Sequence, residues 1–200
     1  MVNGIISKSA RTLLTLSVTA VLAAAGAGAA QAQSHTSSLN ASGKNTTART
    51  SAEAAKAVVA ARGHGARTAA RGACYRAHVA GIGWQSPVCN GQVAGTTGQG
   101  RAIEALEITT YGVGGMCAQA HVAGTGWQNV RCGADGQTVT VGTTGQSRPM
   151  EALWLSPSTG TVGAQAHVQN YGWMGWQNGN PITVGTTGAA LRLEAVQIVV

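Results

Sequence analysis

Acid–base chemistry, sulfur chemistry and ring stacking are all open to the C-terminal two-thirds of this chain, each through residues repeated at fixed spacing. His78, His121 and His167 open the segments HVAGIGWQ, HVAGTGWQ and HVQNYGWMGWQ, and Trp84, Trp127 and Trp173 follow them by six residues. Each unit then carries Gly-Thr-Thr-Gly, led by Gly95, Gly142 and Gly185, and nine residues after that glycine stand Glu104, Glu151 and Glu194. A histidine with a carboxylate is the raw material of general acid–base catalysis, but that chemistry needs a single cleft with shifted pKa values. A pair copied once per small unit is what binding modules show. The chain also lacks G-x-S-x-G and H-E-x-x-H, so no catalytic residue is assigned and no enzyme activity is expected. Three histidines meeting on an axis would still want the fourth ligand of a closed zinc site. No metal and no cofactor are assigned.

Cys74 and Cys117 stand four residues before their histidines, and Cys89 and Cys132 five after their tryptophans; the third unit has Gly163 and Asn178 at those offsets. Four cysteines permit three pairings. Only pairing within a unit explains why both members are present together and absent together. The expected disulfides are Cys74–Cys89 and Cys117–Cys132, each closing a loop of about 15 residues and worth roughly 3 kcal/mol in the chain-entropy picture. A zinc site from the same residues lacks any C-x-x-C pair.

Trp84, Trp127 and Trp173 fit two roles: the aromatic core of each repeat, or platforms that stack on a sugar ring. Large rings dominate core energetics, so the core role is the expected one. Trp154 and Trp176 occur in one unit each, Trp154 at a position that varies between units and Trp176 in an insertion beside Tyr171. Aromatics placed in this way are candidates for exposed ligand stacking. His78, His121 and His167 share a strand face with Arg76, Gln119 and Gln165, while Ala77 and Val79 take the opposite face. Gln85, Gln128 and Gln177 beside them complete the candidate ligand-binding set. The histidines' other role is hydrogen bonding within the scaffold.

The elements that position these residues follow from the repeat itself. Units start 43 and then 46 residues apart, and within a unit the variation is confined to the stretch between Trp and Gly-Thr-Thr-Gly, the mark of a repeated supersecondary unit. Within a unit the hydrophobic period is two, not 3.6. In the closing run Glu104, Leu106 and Ile108 point one way and Ile103, Ala105 and Glu107 the other. The first set stays apolar at its last two positions in every unit and is predicted to face the core, with Glu104, Glu151 and Glu194 on that side accepting backbone N–H groups. The second set ends in the unlike residues Glu107, Trp154 and Gln197 and is predicted to face solvent. Gly-Thr-Thr-Gly reads as a tight connection needing positive φ at one or both glycines. The domain, 73–200, is predicted all-β, with repeats at 73–110, 116–156 and 162–200 that recur about every 43 residues. Two pseudo-threefold architectures fit, a β-prism with one small sheet per unit or a β-trefoil. The prism is favoured because one Trp per unit around the axis would fill its core.

The N-terminal part reads differently. Lys8 and Arg11 precede an apolar stretch from Thr12 to Ala30, and Ala30-Gln31-Ala32 offers a cleavage site, so 1–32 is predicted to be a signal peptide. Residues 33–72 are rich in Ser, Thr, Ala and Arg and have no aromatic residue, which predicts a disordered basic linker. Within it, 51–61 reads as a short helix capped by Ser51, marginal on its own. The formal net charge of +7 belongs to this region. The repeats balance Arg76, Arg101, Arg131, Arg148 and Arg192 against Glu104, Glu107, Asp135, Glu151 and Glu194. Nucleic-acid binding needs a basic face on the folded part, and none is expected. No membrane span is expected in the mature chain.

Three pairs of segments carry a family resemblance: GWQ (83–85) with AGTTGQGRAIEALEI (94–108), HVAGTGWQN (121–129) with VGTTGQSRPMEALWL (141–155), and HVQNYGWMGWQN (167–178) with VGTTGAALRLEAVQI (184–198). They resemble the ChW repeat, the clostridial hydrophobic repeat with a conserved tryptophan that also occurs in actinobacterial secreted proteins. The resemblance spans 74–200, although the cysteine pairs depart from the usual repeat. It implies an extracellular protein that binds surfaces or polysaccharides; a secreted, cell-wall-associated binding module is the expectation, with a structural or adhesion protein that binds other proteins as the alternative. The family's modules often accompany hydrolases; no hydrolase signature stands beside the repeats in these 200 residues.

Overall fold

A computed structural model describes residues 50–62 and 70–200 of the protein. The predicted signal peptide and most of the predicted linker lie outside the described residues. Each unit lays down five strands in the same order. Unit 1 has β1 (Gly72–Val79), β2 (Gly83–Trp84), β3 (Val88–Cys89), β4 (Ala94–Gly95) and β5 (Ile103–Tyr111). Unit 2 has β6 (Met116–Val122), β7 (Gly126–Trp127), β8 (Arg131–Gly133), β9 (Thr138–Gly142) and β10 (Met150–Pro157). Unit 3 has β11 (Val162–Val168), β12 (Gly172–Trp173), β13 (Gln177–Gly179), β14 (Ile182–Gly185) and β15 (Leu193–Val199).

The first and last strands of a unit pair antiparallel and form its spine, and the two short strands that follow the first pair back onto it. The remaining strand leaves. β9 joins β5 of unit 1, β14 joins β10 of unit 2, and β4 joins β15 of unit 3. Every unit thus lends one strand to its neighbour, and the third loan closes the ring. The result is three five-stranded sheets, not one closed barrel, which decides for the β-prism over the trefoil. One small sheet per unit is found as expected, with one strand of each sheet supplied by the adjacent unit. A strand that ends on Gly-Thr-Thr-Gly can satisfy its backbone groups only on an edge left open by the adjacent unit.

All three sheets turn one face to a common core built of Ala, Val, Leu, Ile and Met, with Tyr75 its only aromatic member among the described residues. Alternation holds along the spines: Ala77 and Val79 are buried, and Arg76 and His78 face outward. In β5, Leu106 and Ile108 face the core as predicted, but Ile103 does too. The register explains this. His78 pairs with Ala105 and Val79 with Ile103, so Glu104 is the extra residue of a β-bulge. Glu151 and Glu194 occupy the same bulge in their units. A bulge resets the alternation, so the glutamate turns to the outer face and its predecessor turns inward. The predicted core-side glutamates are corrected accordingly.

The bulge also docks the neighbouring unit. The Thr143 N–H donates to the Glu104 carbonyl (2.8 Å), Thr186 to Glu151 (2.9 Å) and Thr96 to Glu194 (2.8 Å). Gly142 is where this contact demands glycine. Its φ is +89°, and a Cβ there would lie 2.3 Å from the Glu104 carbonyl oxygen.

The seam between units 1 and 3 is the thinnest. β4 pairs only two residues with β15, against five for β9 on β5. Tyr75 reinforces it. Its hydroxyl donates to the Gln92 carbonyl and accepts from the Ile198 N–H at 2.9 Å, while the Gly91 N–H donates to the Ile198 carbonyl at 2.8 Å. Burial pushes the Tyr75 hydroxyl up to about 12, against the partial relief of the Ile198 N–H.

Both expected disulfides are formed, Cys74–Cys89 and Cys117–Cys132. The cysteines face each other across β1/β3 and β6/β8, where unit 3 sets Gly163 opposite Asn178. Part of the predicted linker is ordered. Helix α1 (Ser51–Arg62) lays Ala54 and Ala55 against Cys74 and Tyr111. Its cap is Thr50 and not Ser51: the Thr50 hydroxyl accepts the Glu53 N–H (3.2 Å) and Glu53 accepts the Thr50 N–H (2.9 Å), a capping box. Ser51 is buried, with its hydroxyl 2.9 Å from that of Thr109. Tertiary packing of the alanine face stabilises a helix too short to persist alone.

Candidate functional site

The outer face of each sheet carries the same station. His78 pairs across the strands with Trp84, His121 with Trp127 and His167 with Trp173. Residues directly opposite in an antiparallel pair share a face, so each indole is carried outward with its histidine. The rings meet edge to face, with centroids 5.3, 5.3 and 5.5 Å apart. Behind the imidazole stands the bulge glutamate. His78 Nδ1 lies 3.1 Å from Glu104 Oε2, His121 Nδ1 2.9 Å from Glu151 and His167 Nδ1 3.1 Å from Glu194. The glutamates are buried and the histidines partly so. Glu104 hydrogen-bonds His78 Nδ1 and so orients that imidazole, Glu151 and Glu194 lie at ion-pair distance from their histidines, and each imidazole in turn props its indole.

Trp127 and Trp173 are therefore 41% and 38% exposed, and Trp84 is half-buried. The expected core role of the three tryptophans is corrected. The axis is packed with smaller aliphatic chains, and the return strand that bears each Trp lies on the sheet's outer register. The three histidines sit one per sheet, each committed to its own glutamate, and do not converge.

Of the three glutamines, Gln85 and Gln128 act alike. Gln85 accepts the Gly95 N–H (2.7 Å) and donates to the Gly95 carbonyl (3.2 Å); Gln128 does the same for Gly142 (2.9 and 3.3 Å). Both clamp the lent strand to the hairpin. Gln177 is placed differently. The Met174 N–H donates to the Ala166 carbonyl just as Gln85 does to Ala77 and Gln128 to Ala120. Met174 thus takes the clamp position, and Gln177 lies exposed at the start of β13, donating to the Gly175 carbonyl at 3.4 Å. Trp176 is 42% exposed, as expected of a ligand-stacking candidate, and Tyr171 is 67% exposed. Trp154 is half-buried, opposite Gln119 on the outer face.

Beside the hairpins lie small clefts at matching places in two units. One, of about 240 Å³, is lined by Gln128, Asn129, Arg131, Thr140 and Gly142. The other, of about 100 Å³, is lined by Met174, Gln177, Thr183 and Gly185, with Gly175 and Val184. Sequence reasoning missed Arg76 as a site residue. Its Cζ lies 4.8 Å from the Trp84 ring centroid, and its Nε donates to Glu107 at 2.7 Å. The signal was its position two residues before His78, where the other units have glutamine.

The profile of the family described as clostridial hydrophobic W (ChW) matches residues 78–110, 121–156 and 167–200, together more than half of the chain. The chain belongs to the ChW family. Each ChW match begins at the histidine and ends in or just after the strand that carries the bulge glutamate, so the profile covers the whole His–Trp–Glu station. Cys74 and Cys117 fall just before the matched residues, in keeping with disulfides that supplement the ChW repeat. No curated protein and no solved structure matches the chain.

Proposed function

We propose that this ChW protein is a secreted, non-catalytic binding module for carbohydrate, most of all for cell-wall or surface polysaccharide, working through repeated weak sites. The observation that carries the reading is the station itself: an indole face left open to solvent, propped by a histidine that a buried glutamate orients. An aromatic plate beside polar side chains is what stacking on a sugar ring requires. The clefts beside the hairpins offer Asn129, Arg131 and Thr140 in unit 2 and Gln177 and Thr183 in unit 3 for its hydroxyls. Weak sites on one rigid body add through avidity when the ligand is itself a repeating polymer. The glutamates favour a scaffold role over catalysis, since each is bound to its own histidine and its carbonyl docks the next unit. Among the described residues no helix is long and apolar enough to cross a membrane, and two disulfides suit an oxidising exterior.

A second reading, an adhesion protein that binds other proteins, is favoured by the exposed aliphatic side chains of Ile82, Val93 and Val130, which sugars do not stack upon. Co-sedimentation of the whole chain with insoluble peptidoglycan, chitin, cellulose and xylan separates the two. Retention on at least one glycan is expected. No retention on any of them, with capture by a protein bait, would establish the adhesion reading instead.

A further inference from the structure

We infer that only the second and third units carry working sites, and that Arg76 closes the first. The inference rests on the reading of the His–Trp stations as glycan sites and names which of them operate. In unit 1 the guanidinium lies over the Trp84 ring, 4.8 Å from its centroid, and so occupies one of the two faces on which a sugar could stack. It is held there by Glu107, with Nε at 2.7 Å and Nη2 at 3.1 Å from the carboxylate oxygens. Both side chains are only 15% exposed. A two-point guanidinium–carboxylate contact, partly shielded from water, is the strong form of an ion pair. A sugar would have to displace the cation from the ring and from the carboxylate together.

Units 2 and 3 lack this cap. Gln119 and Gln165 stand where Arg76 does, and Trp154 and Gln197 stand where Glu107 does. The Gln119 amide is turned to the Gln128 carbonyl and the Gln165 amide to Gln197, so neither places a charge over its indole. Each of these units also adds an outward aromatic side chain, Trp154 in one and Trp176 in the other. Unit 1 has helix α1 packed against β1, β3 and β5 instead. Its outer face is committed to the scaffold at one end and capped at the other.

The test compares the whole chain with the variant Arg76→Gln and the double variant Arg76→Gln/Glu107→Gln, which installs the glutamine pair of unit 3 and so a combination this fold already accepts. Indole N–H signals are followed by NMR during titration with muramidase-released peptidoglycan fragments and, in parallel, chitin, cellulose and xylan oligosaccharides. In the wild type the Trp127 and Trp173 signals are expected to shift and the Trp84 signal to stay. In the variants Trp84 should shift as well, and the number of sites should rise from two to three. Movement of Trp84 in the wild type, or its stillness in both variants while the other two move, overturns the inference and leaves the glycan reading standing. If no indole moves in any protein with any of these sugars, the glycan reading fails and takes the inference with it. A ligand-free arm checks the cap alone. N-bromosuccinimide should oxidise Trp84 several-fold more slowly than Trp127 in the wild type and at a similar rate in the variants; equal rates in the wild type overturn the cap.

Discussion

Replacing Tyr75 with Phe removes one oxygen atom and should loosen the closure of the ring. The phenyl ring keeps its place in the core, so the transfer term is almost unchanged and the cost is polar. The Ile198 N–H, on a residue with no exposed surface, loses its acceptor. The Gln92 carbonyl loses its donor but belongs to an exposed residue that water can serve. One buried orphan amide costs about 1–3 kcal/mol, which for a domain of this size lowers Tm by roughly 3–10 °C.

A second signature separates this mechanism from a mere packing defect. The Tyr75 hydroxyl is pushed up to about 12 from its ordinary 10 because burial disfavours the phenolate. Above pH 10 the unfolded chain releases that proton while the folded chain keeps it, so stability falls as pH rises. The contribution is complete below pH 10 and is lost as pH climbs toward 12, by on the order of 2–3 kcal/mol. The Phe variant lacks this loss, and Tyr111 and Tyr171 cancel in the comparison. Urea unfolding of both proteins at pH 8 and at pH 11 measures the two effects. Equal stability at pH 8 together with parallel losses at pH 11 would refute the role given to Tyr75.

Two further predictions concern a joint between units and the hairpin within unit 3. Gly142→Ala forces a Cβ to within 2.3 Å of the Glu104 carbonyl at a φ of +89°; it should destabilise the fold by on the order of 3 kcal/mol, read as a fall in the urea midpoint. In unit 3, Gly163→Cys with Asn178→Cys reproduces the cross-strand cysteine pair. The added Cβ at 163 would meet Val199 at 2.9 Å, where the cysteine-bearing units have Thr109 and Ser156. With Val199→Ser added, a third disulfide is expected to form, seen as a mass loss of two hydrogens and a gain of about 3 kcal/mol. Free thiols in the oxidised triple variant would show that the unit 3 hairpin differs from its counterparts.

The repeat, the strands and the sulfur pairs were legible because each is a local matter. Period two, glycine punctuation and the joint replacement of both cysteines by Gly163 and Asn178 all lie within one unit. What sequence reasoning misplaced depends on contacts between units or on a single irregularity. Glu104 follows the alternation perfectly on paper, and only the bulge opposite His78 and Val79 turns it outward. The lent strands are invisible in any one repeat, since their partners belong to the next. The tryptophans were assigned to the core because a recurrent large ring is usually worth most there, yet strand register pairs them with outward histidines. Gln177 looked equivalent to Gln85 by its Trp-Gln neighbours, while the backbone places Met174 in that role. The helix was readable from 51–61, but its docking required knowing that Cys74 and Tyr111 would present a surface for its alanines.

The central claim is that exposed indoles on repeated stations hold a surface glycan. Its most direct test is quantitative depletion of the wild type and of a Trp127→Ala/Trp173→Ala double variant by insoluble peptidoglycan and polysaccharides. Two lost stacking contacts at about 1 kcal/mol each predict apparent binding weaker by roughly thirtyfold, with the urea midpoint little changed because both rings are substantially exposed. Binding of the double variant equal to that of the wild type would contradict the account.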